Sequence, residues 1–200
     1  MILAAAMNLE APMAMGDQAA GLRRGDPDAL AAAISRYQLR LYRYLQRLVE
    51  DPPAAEDLFQ QTWLRVMENL GRYDARRSFE TWLFSVAHNL AIDHLRKRRP
   101  DSLDETLPEG GLRHEVADAH PDALEQALEW ERAGLVAEAL RELPAIHREV
   151  LTLRFEEDLK LEQIAEVAHV PLSTVKSRLQ RSLEGLRSRL QNRFGQGGSK

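Results

Sequence analysis

One stretch decides how the rest of this 200-residue chain can fold. From Pro100 to Ala123, PDSLDETLPEGGLRHEVADAHPDA sets five Pro and Gly residues among acids and shows no sustained apolar period, the signature of a linker. It leaves a segment on each side with room for one small domain. Ala, Leu, Arg and Glu dominate those segments and aromatics make up only 6% of the chain, so propensity favours helices over strands. The expectation is an all-α protein of two small helical domains joined by an acidic flexible linker.

Each flank carries helical periodicity. Asp26-Pro27 reads as a cap followed by proline at the first helical position, opening ALAAAISRYQLRLYRYLQRLV, and Pro52-Pro53 ends that region. In AAEDLFQQTWLRVMENL the residues Phe59, Thr62, Trp63, Val66 and Leu70 form a core stripe. The opposite face carries Asp57, Gln61 and Glu68 with one apolar residue among them, Leu64, which reads either as an incidental exposed residue or as the mark of a protein contact. Ser78 can cap FETWLFSVAHNLAIDHLRKRR, whose stripe is Phe79, Trp82, Leu83, Val86 and Leu90. Phe84, Ile92 and Leu95 lie off that stripe, so this helix needs cover on more than one side. A narrow polar track of Ser85, Asn89, Asp93 and Arg96 remains, leading into Arg96, Lys97, Arg98 and Arg99, where phosphates of a nucleic acid could sit.

Charge is segregated although the formal net value is only −4. The chain from Asp101 to Glu131 has net charge −9, whereas Leu172 to Lys200 has +6, and a polyanionic partner responds to the placement of charge. Within the second flank, LEQIAEVAHVPLSTVKSRL reads as a helix-turn-helix: Ile164, Ala165 and Ala168 face inward, His169-Val170-Pro171 makes the turn, and Val175 and Leu179 anchor the second helix. His169 stands where positive φ is often required. Val175, Leu179, Leu183, Leu186 and Leu190 define the buried stripe of the last helix, leaving Ser173, Thr174, Ser177, Gln180, Arg181 and Ser188 outward, where Ser, Gln and Arg can reach phosphates and base edges. Arg187, Arg189 and Arg193 read either as contacts to the DNA backbone or as solubilising charges.

The segments EDLFQQTWLRVMENL, FETWLFSVAHNLAIDHLRKRR and LPAIHREVLTLRFEEDLKLEQIAEVAHVPLSTVKSRLQRSLEGLRSRL, in this order, resemble a bacterial RNA polymerase sigma factor of the sigma-70 family, in its small extracytoplasmic-function (ECF) group. The resemblance covers about residues 23–194. It implies a flexible N-terminus over 1–22, a sigma2-like bundle over 23–100, the acidic linker over 101–122, a sigma4-like helix-turn-helix domain over 123–194 and a flexible tail over 195–200. It places Asp57, Gln60, Gln61 and Leu64 on the helix that grips the β′ coiled coil of core RNA polymerase, with the β flap as second contact. Gln61 stands where the family often has Glu. Tyr73 and Asn89 match positions around a pocket that captures a base flipped from the minus-ten element, and Arg96, Lys97, Arg98 and Arg99 match residues holding adjacent backbone. Unstacking a base costs a few kcal/mol, which stacking and edge hydrogen bonds can offset. Lys176, Ser177, Gln180 and Arg181 match the residues that read the minus-thirty-five element. The implied partners are core RNA polymerase, promoter DNA and an anti-sigma factor, and the implied path of the linker runs toward the active-centre cleft and RNA exit channel.

Other classes are disfavoured. The chain has no cysteine, which removes disulfide scaffolds, thiol nucleophiles and Cys-ligated metal. His114-Glu115-Val116-Ala117-Asp118 departs from HExxH because Asp118 replaces the second His, and His88 and His94 are six apart on one helix. His147, beside Arg148 and Glu149, reads as a surface residue. Neither a phosphate-binding Gly loop nor a nucleophile elbow is present, so no enzyme, metal or cofactor is expected. No apolar run reaches membrane-spanning length and MILAAAMNLEAPMAMG lacks a basic n-region, so no membrane insertion and a cytoplasmic location are expected. The rival reading is a conventional helix-turn-helix regulator whose first domain dimerises or senses a ligand.

Overall fold

The computed structural model describes residues 15–74, 77–98 and 134–196. Every regular element among them is helical, as expected of an all-α chain. The first domain comprises α1 (Met15–Arg24), α2 (Pro27–Val49), α3 (Pro52–Asn69), a 3-10 turn at Leu70–Arg72 and α4 (Phe79–Arg98). The second comprises α5 over 134–141, α6 (Ala145–Leu151), a π-helical turn at Thr152–Glu156, α7 (Leu161–Val167) and α8 (Leu172–Gln196).

Local chemistry sets the boundaries. Asp26 caps α2 by accepting from the Asp28 N–H at 3.0 Å, with Pro27 supplying the preset φ of the first turn. Glu50 ends α2 in the left-handed region, its N–H returning to the Gln46 carbonyl. One residue later Asp51 caps α3 through the Ala54 N–H at 3.2 Å. This short corner turns α3 back onto α2.

Residues 15–22 correct the expected flexible N-terminus. They belong to α1, whose Leu22 is fully buried in the first-domain core. Gly21 permits that packing, because a Cβ there would come within 2.9 Å of the Ala29 side chain of α2.

The core of the first domain is built from Leu41, Tyr44, Leu45 and Leu48 of α2, Leu58, Trp63 and Val66 of α3, and Leu83, Phe84 and Ala87 of α4. Helix α4 is the unusual member. It packs against α2 and α3 on one side and against α7 on another, which explains why Phe84, Ala91 and Ile92 are buried off its first stripe. Burial on two sides of α4 means that the two domains pack on one another, and one apolar core runs through both. The linker over 101–122, residues 123–133 and Arg99 lie outside the described residues.

Two readings of the second domain change. The buried line of α8 includes Val175 and Ser182, while Leu183 is 40% exposed. The reason is His147, which is buried against α8 rather than at the surface. Its Nδ1 lies 2.9 Å from Ser182 Oγ, and Ser182 gives its one proton to the Arg178 carbonyl at 2.6 Å. His147 must therefore be the donor in that pair. A buried polar pair at the α6–α8 contact turns Ser182 inward and Leu183 out.

Candidate nucleic-acid and polymerase interfaces

The helix-turn-helix forms as its residues require. In α7, Ile164 and Val167 are fully buried and Ala165 partly so, and Ala168 closes the helix. His169 adopts φ 52°, the left-handed turn that its position demands. Pro171 then accepts the Thr174 and Val175 N–H bonds that start α8, and Val175 is fully buried beneath α7. The outward side presents Lys176, Ser177 and Gln180 exposed and Arg181 half-buried at its edge. Ser177 donates to the Thr174 carbonyl at 3.0 Å, and Gln180 donates to Glu184 at 3.1 Å. This surface suits a major groove, as its spacing predicts.

The arginines farther along α8 behave differently. Arg189 pairs with Glu142 at 3.6 Å and donates to the carbonyls of Glu142 and Gly185. It fastens α8 to the α5–α6 corner, a structural role that neither reading of its sequence position included. The side chain of Arg193 lies outside the described residues.

On α3, Asp57, Gln60, Gln61, Leu64 and Glu68 share one exposed face, as the wheel predicts. Leu64 is 56% exposed and Met67, one turn on, is 42% exposed. Sequence reasoning missed Met67, although its three-residue spacing from Leu64 would have flagged it. An apolar pair ringed by polar and acidic side chains on a rigid helix is the form of a protein-docking edge.

The track on α4 is present, with Ser85 half-buried and Asn89, Asp93 and Arg96 exposed. Lys97 and Arg98 follow, and Arg98 pairs with Asp51, holding that carboxyl below its ordinary range mainly through the hydrogen bond. Tyr73 is placed differently from an open pocket wall. It is buried, its hydroxyl donates to the Arg77 carbonyl at 2.6 Å, and its ring meets Phe79 and Trp82 at centroid distances of 5.7 and 5.0 Å. Asn89 instead meets the second domain, its Nδ2 lying 3.3 Å from His169 Nε2.

The seam between the domains holds the polar residues that sequence reasoning overlooked. Glu149 of α6 is buried, and its Oε1 accepts from Tyr44 Oη and from His88 Nδ1, each at 2.6 Å. Burial, reinforced by the Glu149 charge, pushes the Tyr44 phenol well above its ordinary range. Arg148 is also buried. It donates to the carbonyls of Arg141, Leu143 and, across the seam, Leu48, and pairs with Glu50 at 3.0 Å. Desolvation lowers its affinity for the proton, and Glu50 partly restores it. Arg40 bridges Glu80 of its own domain and Glu157 of the other at 2.6 and 2.7 Å. Burial raises the Glu157 carboxyl above its ordinary range, and Arg40 opposes that rise. The partners that meet across the seam are 61 to 117 residues apart in sequence, so no local pattern announces them.

Comparison with known proteins fits this geometry. The family model for Sigma-70 region 2 matches residues 33–100, and that for Sigma-70 region 4 matches residues 139–188. The ECF RNA polymerase sigma factor SigW of Bacillus subtilis is 32% identical over 175 residues, covering 86% of this chain and 94% of its own. The RNA polymerase sigma-H factor of Pseudomonas aeruginosa is 33% identical over 85% of this chain and 90% of its own. Among solved structures, CnrH in complex with the cytosolic domain of CnrY superposes with a TM-score of 0.65 at 22% identity, covering 90% of this chain and 99% of that one. The sigma factor RpoE of Bartonella quintana, in complex with the anti-sigma factor NepR, gives 0.57 at 22% identity over 78% and 95%. Two region matches in the expected order, on a two-domain helical frame with a formed helix-turn-helix, establish that the chain belongs to the sigma-70 family of RNA polymerase sigma factors, in its ECF group.

Proposed function

We propose that this ECF sigma factor divides its work among three surfaces. The outer face of α3, with Asp57, Gln60, Gln61 and Leu64, docks on the β′ coiled coil of core RNA polymerase, while the second domain meets the β flap. Tyr73, Asn89 and the basic run Arg96–Arg99 act at the minus-ten element and in melting, and Lys176, Ser177, Gln180 and Arg181 read the minus-thirty-five element. The protein supplies recognition and leaves bond-making to the polymerase, and it works in the cytoplasm. An anti-sigma factor is the natural regulator, as in the complex of the sigma factor RpoE with the anti-sigma factor NepR. The acidic segment over 101–122 serves as the tether between the two promoter-binding domains.

The observation that carries this reading is the exposed Leu64–Met67 pair on α3, which lies outside the buried core and is rimmed by polar groups. Leu64→Glu places a charge where a protein contact needs an apolar anchor, without touching the buried face of α3. Assembly with core polymerase, measured by native gel or fluorescence anisotropy, should weaken at least about tenfold while the helical circular-dichroism signal is unchanged. Unaltered affinity would remove α3 from the interface.

A further inference from the structure

We propose that a cavity of about 540 Å³ beside the C-terminal end of α2 is a binding site for a nucleotide carrying a diphosphate, with Arg43 and Arg141 on its phosphates and an apolar wall of Pro52, Ala137 and Leu140 against its base. The site is separate from the promoter and polymerase surfaces assigned above.

Two helical faces build its walls. Arg43, Gln46 and Arg47 of α2 recur at spacings of three and four residues, and so do Ala137, Leu140 and Arg141 of α5, so each set shares one side of its helix. The α2–α3 corner and the buried Arg148 of α6 close the space between them. Arg148 is a rigid floor and not a free donor, because its guanidinium is committed to three carbonyls and Glu50.

Charge within the cavity is unbalanced. Glu50 pairs with Arg148 at 3.0 Å, Glu156 with Arg47 at 3.2 Å, and Asp51 with Arg98, so every carboxylate of the lining is already matched. Arg43 and Arg141 are left over. Both are exposed, and neither has an acidic partner among the described residues. Two cations in excess, brought to one concavity by separate helices, favour an anion with more than one charged group. The planar guanidinium fork matches phosphate oxygens two at a time, which makes a diphosphate the fitting partner for a pair of arginines.

Size separates a nucleotide from a lone inorganic anion. The volume of about 540 Å³ falls within the range of about 300–1,000 Å³ typical of sites for drug-sized molecules, far more than a phosphate group fills. Pro52, Ala137 and Leu140 supply the apolar surface on which a flat base loses water. Gln46, beside Arg47, carries an amide able to donate and accept at a base or ribose edge. Because α2 belongs to the first domain and α5 and α6 to the second, a ligand here touches both and stabilises their joint fold by mass action.

Isothermal titration calorimetry on the full chain at low salt tests the site, with ADP, GDP, inorganic pyrophosphate and adenosine as probes. ADP or GDP should bind at one equivalent with a Kd on the order of 10–100 µM. Pyrophosphate, which leaves the apolar wall unused, should bind at least about tenfold more weakly, and adenosine should give no heat. Arg43→Gln and Arg141→Gln should each weaken ADP binding at least about tenfold, since each removes a charge-assisted contact. Arg65→Gln, at an exposed position on α3 outside the cavity, should leave it unchanged. Ala137→Phe fills the cavity without altering charge and should abolish binding; it is the second variant should either arginine substitution reduce the helical circular-dichroism signal. The thermal midpoint should rise with ADP concentration in the wild type and stay flat in the Arg43→Gln, Arg141→Gln double variant. Absence of binding by every probe would overturn the proposal, as would ADP affinity that survives both Arg43→Gln and Ala137→Phe. Pyrophosphate binding as tightly as ADP would reject the base-binding wall, and an equal loss in Arg65→Gln would reduce the effect to general attraction between charges.

Discussion

At the scale of single residues, the second domain depends on two buried polar groups. Arg148 spreads its guanidinium over three carbonyls and Glu50, a pattern that requires a planar fork. Arg148→Lys keeps the charge but cannot reach all four acceptors, and should cost about 1–3 kcal/mol in denaturant unfolding. His147 gives a pH signature. Its burial lowers its proton affinity from the ordinary 6.5, so the folded protein takes up this proton later than the unfolded chain as pH falls. Stability from this site is thus complete above about pH 6.5 and declines below it, by up to about 1.4 kcal/mol per pH unit until the folded form is itself protonated. Unfolding midpoints of the wild type and His147→Gln, compared from neutral to mildly acidic pH, should converge as the acid side is approached. On α8 the two arginines should separate. Arg181→Ala should flatten base preference at one position of the upstream element, with about 1–3 kcal/mol of lost discrimination measured across a panel of promoter variants at fixed salt. Arg189→Ala should instead lower thermal stability, because this side chain holds Glu142.

At the scale of elements, what was legible followed from locality. Caps at Asp26 and Asp51, the proline starts, the turn at His169 and the outer face of α3 are set by residues within a few positions of one another, and periodicity exposes them. Helix α4 was legible only by its failure to be amphipathic in the ordinary way: Phe84 and Ile92 said that a second neighbour existed without saying which. The neighbour is α7. The phase of α8 was read one position out because Ser182, a poor candidate for a buried line, is turned inward by His147, a partner 35 residues away. Polar pairs of this kind carry no periodic signal, so nothing local marked His88, Glu149 and Arg148 as buried until the fold brought their partners to them. The position of Tyr73 belongs to the same class, since its burial depends on Phe79 and Trp82 closing around it. Tyr73→Phe, which removes only the bond to the Arg77 carbonyl, should loosen this loop, and limited proteolysis around residues 74–78 should accelerate severalfold.

At the scale of the whole molecule, the charged seam makes the packing of the two domains sensitive to ionic strength. The pairs from Arg40 and Arg47 to Glu157 and Glu156 are partly solvent-accessible, so raising salt from about 0.05 to about 0.5 M should weaken them and speed amide exchange along the seam. The buried bonds to Glu149 should respond little. The π-helical turn at Thr152–Glu156 carries a consequence of another kind. It closes with the Glu157 N–H on the Thr152 carbonyl, five residues back, and Phe155 within it is 63% exposed. That widened turn sets the rotational phase with which Glu156 and Glu157 approach Arg47 and Arg40. Removing one residue would restore ordinary α-helical spacing and swing both carboxylates by about 100°. Over evolutionary drift this segment should therefore accept substitutions at its exposed positions far more readily than insertions or deletions, its length being the heritable quantity that keeps the two halves of the chain in register.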